Sequence, residues 1–478
     1  MVFSSQLFLF WFLPLALAGY YVLFAGPRWL RHLFLIAVSY VFYGWANPPF
    51  ALLLLLTTSV DYAIALWIVR EPCPEGGPRS RAQKLALGLS LVSNLGLLGY
   101  FKYANFAVES YGSLMALLGL EHLAWRDFLH VTLPLGISFY TFQSLSYTID
   151  VYRGHVAATR SFVDFAAFVS LFSQLVAGPI IRYSEVARQL IERRHSLEKF
   201  ARGVAMFSLG LGKKVLLANP CGKLADTCFE AGSLLAVDAW LGVAAYSFQI
   251  YFDFSGYSDM AIGLGLMMGF VFPKNFDSPY RSRSITEFWN RWHISLSTWL
   301  RDYLYLPLGG NRKGPRRTYV NLMLVMLLGG LWHGASLHFV VWGGIHGACL
   351  ALERARGRRS LFAGLPAPLQ VATTFLIVSL AWVFFRADDL GAALRYLGHM
   401  VGLGPVQEGA VLVAAVTRQP YYLLSLGAAA AVAWLAPQSW DLTRRIDLPR
   451  AVWALALLWV ACAALFGQTY NPFIYFIF

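Results

Sequence analysis

Apolar runs of about twenty residues recur along the whole chain, separated by short polar stretches rich in arginine, glycine and proline. Coiled as a helix, such a run covers roughly 30 Å, the thickness of bilayer hydrocarbon. The pattern predicts spans near residues 6–25, 29–48, 50–69, 84–105, 131–150, 202–218, 236–270, 318–333, 335–352, 368–385, 421–437 and 451–466. Several are too short or too interrupted to be simple crossings, so the expectation is about eleven spans plus re-entrant pieces. Residues 163–181 end in Val176-Ala177-Gly178-Pro179 and read as re-entrant, a shape tolerated only where protein or water covers the backbone. Residues 236–270 are too long for one crossing, and Gly256 predicts a bend there. The fold class is an all-α polytopic membrane protein, with residues 1–478 forming one domain.

Residues 285–303 carry a different pattern. Ile285, Phe288, Trp289, Trp292, Leu296, Trp299, Leu300 and Tyr303 recur at steps of three and four, giving one apolar stripe. Glu287, Asn290, Arg291, Arg301 and Asp302 fall outside it. The segment predicts one amphipathic helix, lying along the cytoplasmic interface or dipping into a funnel. The loop that follows, Leu306-Pro307-Leu308-Gly309-Gly310-Asn311-Arg312-Lys313-Gly314, is basic and glycine-rich. Backbone amides and cations in such loops suit phosphate groups, although basic cytoplasmic loops are also ordinary.

Composition agrees with a membrane protein: of 478 residues, 58% are hydrophobic and 13% charged. Mean hydropathy is +0.55. The net charge of +13, from 38 Lys and Arg against 25 Asp and Glu, fits basic cytoplasmic loops. No compact basic domain exists to bind nucleic acid. Basic loops at Arg28 and Arg31, Arg70 to Lys84, Arg182 to Lys214, Arg281 to Arg317 and Arg354 to Arg359 all read as cytoplasmic. That orientation puts the N-terminus on the periplasmic or outer side. No basic residue precedes Arg28, so residues 6–25 read as a retained first helix rather than a cleaved signal. The five cysteines show no metal spacing, and Cys221 and Cys228 read as free thiols unless their loop is periplasmic.

Candidate chemistry lies in two histidines set among aromatic residues. His293 occurs in Trp292-His293-Ile294-Ser295 and His333 in Leu331-Trp332-His333-Gly334. A titratable ring at membrane depth is a functional-site hypothesis, and imidazole suits proton transfer near neutral pH. The competing reading is a histidine satisfied by helix packing, which is kept for His338 and His346. The spacing of these histidines does not match a helical metal pair, and no metal site is expected. Asp61, Asp253 and Asp259 are further carboxylates in apolar surroundings. They read as interior ion pairs or hydrogen bonds, with Arg291 or Arg301 as partners, or as tunnel-lining groups.

The fragments "RWHISLSTWLRDYLYLPLGGNRKG" and "LWHGA", with "GYFKYANF", "SYTIDVYRG", "QLVAGPI" and "YFDFSGYSDMAIG", resemble the membrane-bound O-acyltransferases. The likeness is strongest to the bacterial branch that acetylates exopolysaccharides such as alginate, and it runs from "MVFSS" to "NPFIYF". It implies helices around a central funnel or tunnel in the bacterial inner membrane. By motif match His333 is the catalytic histidine, and His293 is the second polar position. Ser173 stands where the family commonly has proline, which bears only on the re-entrant piece.

The resemblance also implies acetyl-CoA as cytoplasmic acyl donor, with no permanently bound cofactor. Asn311, Arg312 and Lys313 are the candidates for its phosphates. Implied partners are a periplasmic acetyltransferase of the SGNH-hydrolase type and the polysaccharide export or synthase complex. Tyr470, Phe473 and Tyr475 read as an interfacial aromatic belt, or as part of a docking surface. Two alternatives differ in class: D-alanyl transfer from a carrier protein, and a transporter or flippase for a lipid-linked sugar. A transporter predicts internal repeats, and the chain has none.

Overall fold

The computed structural model describes residues 1–125, 130–357 and 360–474, and every regular element among them is helical. Arg358, Arg359 and Tyr475 lie outside the described residues. Five helical stretches are long and apolar enough to cross a membrane: Phe8–Ala25, Pro48–Ile68, Arg81–Leu117, Ala367–Arg386 and Leu448–Gly467. Other helices are too short or too polar for that measure. Ile137–Arg153, for instance, buries Ser138, Thr141, Gln143, Ser144, Ser146, Thr148 and Asp150. A helix clothed in protein keeps polar groups that a lipid-facing helix cannot.

The chain divides into two compact units. The first holds Phe10–Arg194 with Met1 and Phe270–Phe272. Pro48–Ile68, Arg81–Leu117 and Ile137–Arg153 pack together there. Asp61, fully buried, joins them by accepting hydrogen bonds from Ser90 Oγ at 2.8 Å, Asn94 Nδ2 at 2.9 Å and Ser144 Oγ. Ser90 is in turn 3.0 Å from Thr148. Asp61 is thus held by hydrogen bonds. The expected re-entrant stretch forms a short helix, Phe162–Ser170, followed by buried irregular chain through Ile181. Such backbone survives at depth only because protein covers it.

The second unit comprises Val2–Leu9, His195–Gly269 and Pro273–Phe478. Its centre is a helix pair. Leu197–Gly212 runs on through a wider π turn, Lys213–Ala218, into Asn219–Phe229. Ala236–Met267 lies against it, continuous over 32 residues. The break expected at Gly256 is therefore absent, and Gly256 serves close packing. A Cβ at Gly256 would meet the Gly210 carbonyl oxygen at 2.7 Å, and one at Gly263 would meet that of Gly203 at 2.6 Å. Small residues at seven-residue spacing on both helices let the backbones touch.

The π turn offsets two adjacent lysines along this seam. Lys213 Nζ pairs with Asp259 at 2.7 Å, and Lys214 Nζ with Asp253 at 2.9 Å. The two carboxylates form ion pairs, with lysines rather than the arginines expected. Arg291 pairs instead with Glu287, and Arg301 with Asp302. The C-terminal aromatics also differ from expectation. Phe473 is buried and stacks on Tyr257 with centroids 4.6 Å apart, while the Tyr470 hydroxyl donates to Asp226. Neither forms a belt. Cys221 and Cys228 are free thiols buried on Asn219–Phe229.

Candidate active site

The amphipathic segment is not one helix. It breaks into Ile285–Arg291, Ile294–Leu300 and a π turn, Arg301–Tyr305. The break falls at His293, whose backbone is left-handed at φ 44°, ψ 56°. A residue with a Cβ is uncommon in that region, and surrounding contacts hold His293 there. Asn275 does so. Its carbonyl accepts from Ile294 N at 2.9 Å, and its side-chain oxygen accepts from Ser295 N at 3.1 Å and Ser295 Oγ at 2.9 Å. The His293 ring is fully buried, with Nδ1 3.3 Å from the same Asn275 oxygen. Its face meets the edge of Phe254 at 4.6 Å.

The first short helix is held from the neighbouring Leu337–Ala355. Glu353, 1% exposed, accepts from Ile285 N and Thr286 N, both at 2.9 Å, and from Thr286 Oγ1 at 2.6 Å. A carboxylate there satisfies open amides at the positive end of the helix. Seven residues back, with Trp342 a further turn before it, His346 accepts from Trp289 Nε1 at 3.3 Å through Nδ1. The His346 ring also stacks on Phe288 at 6.0 Å. His338 donates from Nδ1 to the Phe384 carbonyl at 2.8 Å, because a carbonyl only accepts. Nothing in the sequence pattern singled out Glu353. Its only signal was a lone acid one turn from the basic end of an apolar helix.

His333 is the last residue of Gly314–His333, ahead of the turn at Gly334. It is 8% exposed. Its ring stands edge-on to Trp332 at 4.9 Å, Trp342 at 5.2 Å and Phe385 at 5.1 Å. Trp332 also contacts the His293 ring, with centroids 6.3 Å apart. One indole therefore neighbours both histidines, which the chain separates by forty residues.

One void touches His333, and a second is built from the short helices that flank His293. A narrow one is lined by His333 with Ile250, Phe254, Trp292, Trp382, Phe385 and Ile474. A larger cavity of about 440 Å³ lies among the short helices and the basic loop. Its polar lining includes Thr286, Asn290, Ser297, Thr298, Arg301, Asn311 and Arg354, and Trp289 forms part of its wall. Of the three loop residues named for phosphate, Asn311 lines this cavity and Arg312 and Lys313 do not. Arg312 donates to the Leu306 carbonyl at 3.1 Å, and the Lys313 stem lies over Gly309. The cations lining the cavity are Arg301 and Arg354 instead. Sequence reading missed both in that role, since basic residues near a membrane face are ordinary.

The family model for membrane-bound O-acyltransferases matches residues 126–385. The probable alginate O-acetylase AlgI of Azotobacter vinelandii is 45% identical over the full length of both chains. That of Pseudomonas putida is 51% identical over 85% of this chain and 81% of its own. The peptidoglycan O-acetyltransferase of Helicobacter pylori is 39% identical over the same shares, 85% and 81%. A helical chain with apolar spans, two ring-packed histidines and this likeness along its length belongs to the membrane-bound O-acyltransferase family, and it is an O-acyltransferase.

Proposed function

We propose that this protein takes acetyl groups from cytoplasmic acetyl-CoA and passes them across the bacterial inner membrane for O-acetylation of an exported polysaccharide. The observation that carries this reading is end-to-end likeness to a probable alginate O-acetylase, joined to strong likeness to a peptidoglycan O-acetyltransferase. The two polymers differ, and O-acetylation of a carbohydrate outside the membrane is what they share. The acceptor is the polymer hydroxyl itself or a hydroxyl of a periplasmic SGNH-type acetyltransferase working with the export complex. Alginate, cellulose and other exopolysaccharides fit alike. The proposal includes about eleven spans working as one membrane domain with a periplasmic N-terminus.

Acyl transfer from a thioester to an alcohol needs a base on the hydroxyl and a donor to the tetrahedral oxyanion. His333 is assigned the base. As the hydroxyl oxygen bonds to the acyl carbon, its proton moves to the imidazole. The carbon–sulfur bond then breaks, and the ring returns the proton to the leaving thiolate. His293 is assigned to orienting the donor or the oxyanion, and its enforced left-handed turn supports a fixed ring position. The cavity beside Arg301, Arg354 and Asn311 is assigned to the nucleotide end of the donor, with Arg312 and Lys313 adding positive charge outside its lining. A charged nucleotide does not cross hydrocarbon, whereas an acetyl group handed over at the histidine does.

Purified protein in nanodiscs with radiolabelled acetyl-CoA tests the reading. CoA release that requires His333 is the expected result. Folded wild type that neither binds nor turns over acetyl-CoA would move the donor to a carrier protein and the acyl group to D-alanine. Binding without turnover calls for addition of the periplasmic partner before the assay is repeated.

A further inference from the structure

Within the first unit, basic groups gather from three parts of the chain. Helix Arg28–Gly44 opens with Arg28, Arg31 and His32, Asp164 lies in the first turn of Phe162–Ser170, and Arg193 follows Tyr183–Ile191. Arg28 Nη2 lies 3.2 Å from one Asp164 oxygen, and His32 Nδ1 lies 2.7 Å from the other. Asp164 is thereby fully engaged. Arg193 lies over the rings of Tyr20 at 5.8 Å and Phe270 at 4.1 Å, and Arg31 over Phe24 at 5.3 Å. Arg193 also feels the charges of Arg31, Arg28 and Asp164. Arg28 and Arg193 thus share one carboxylate, with Arg31 close enough to repel Arg193.

The hydrogen-bond inventory points the same way. Arg31 Nε and Arg193 Nη1 are buried donors with no hydrogen-bond partner, whereas His32 donates from Nδ1 to Asp164. His32 is completely buried. Buried donors left open cost free energy, and like charges in a partly desolvated site add to that cost. Burial and the two neighbouring arginines pull the Arg193 pKa below its ordinary value, against Tyr20 and Asp164. An anion relieves both costs at once. The surroundings favour one carried on a lipid: Trp29 and Leu33 on helix Arg28–Gly44, and Phe24 just before it, are exposed apolar side chains. Basic pockets between membrane helices, next to such surface, suit anionic headgroups.

We propose that Arg31 and Arg193, with His32 holding Asp164 in place beside them, form a binding site for a phosphate group, supplied by the phosphodiester of an anionic phospholipid or by free phosphate. Guanidinium pairs match phosphate oxygens in geometry as well as charge. The site lies wholly among residues the acyl-transfer reading does not use. A bound headgroup would tie the start of helix Arg28–Gly44 to the segment after Ile191.

Full-length protein in mixed-lipid nanodiscs, released into native mass spectrometry, reads lipid retention directly. Wild type is expected to keep phosphatidylglycerol in preference to phosphatidylcholine. Arg31→Gln and Arg193→Gln are each expected to cut that retention about fivefold, and exposed Arg450→Gln to leave it unchanged. A parallel melt with inorganic phosphate separates the sources. Stabilisation by phosphate, lost in the same two variants, assigns free phosphate, and retention of phosphatidylglycerol without it assigns the headgroup. Equal retention of both lipids by wild type, with no response to phosphate, overturns the site. So does wild-type retention in either variant when folded, and the wild-type comparison decides alone if neither variant folds.

Discussion

Asp61 and His333 are both titratable groups buried on helices, and the two units of the molecule treat them in opposite ways. Asp61 is surrounded by Ser90, Asn94 and Ser144, so each carboxylate oxygen accepts hydrogen bonds from neutral donors. His333 stands edge-on to three aromatic rings and faces a void. A group saturated by donors is fixed in one role, that of joining three helices. A ring set among aromatic neighbours at the edge of a void is placed as the proposed base requires. Burial is common to the two groups, and their surroundings differ.

The sharpest break in this comparison is His333→Ala. It is expected to leave insertion and folding intact while removing acetyl transfer, a loss of at least the roughly 10²–10⁴-fold that a general base supplies. Wild-type acetylation by this variant would end the assignment. Asp61→Asn should do the reverse. An amide offers the Asn94 and Ser144 donors one oxygen fewer, so stability should fall by about 2–4 kcal/mol. Transfer per folded molecule should hold. Thermal melts in detergent, scored beside turnover, separate the two effects, and a stable but inactive Asp61→Asn protein would erase the contrast.

Between these extremes lie residues that position the cavity wall. Glu353→Gln sets an amide against the amides of Ile285 and Thr286 and should cost about 1–2 kcal/mol. Because Thr286, Trp289 and Asn290 all line the cavity, KM for acetyl-CoA should rise by up to about tenfold with a smaller change in kcat. His346→Leu removes the acceptor for Trp289 and should raise KM about threefold, while His346→Gln restores it. Equal kinetics for the two His346 variants would show that ring packing, not the hydrogen bond, holds the indole.

The membrane class and the helical architecture were legible in the sequence, because apolar runs are local signals, and the two histidines stood out there as polar intruders whose rings both lie against Trp332. The family likeness added the rest of the site reading. What was not legible depends on contacts distant in sequence. The apolar stripe of 285–303 keeps its period straight through the break at His293, since Asn275, eighteen residues earlier, enforces the turn. Gly256 carries the same letter whether it bends a helix or admits a neighbour, and only Gly210 on the facing helix decides. Lys213 and Lys214 looked like one more cytoplasmic basic loop until the π turn pointed them at Asp259 and Asp253.

The glycine seam between Leu197–Gly212 and Ala236–Met267 bears on how the protein works as a machine. Where backbone meets backbone there is no side chain to swing and no groove to slide along, so the pair behaves as a fixed rail. The short helices on either side of His293 extend that rail, because Asn275 pins the turn between them and Glu353 holds the start of the first. A ring carried on such parts keeps its place while substrates come and go, beside the cavity where the donor is proposed to enter.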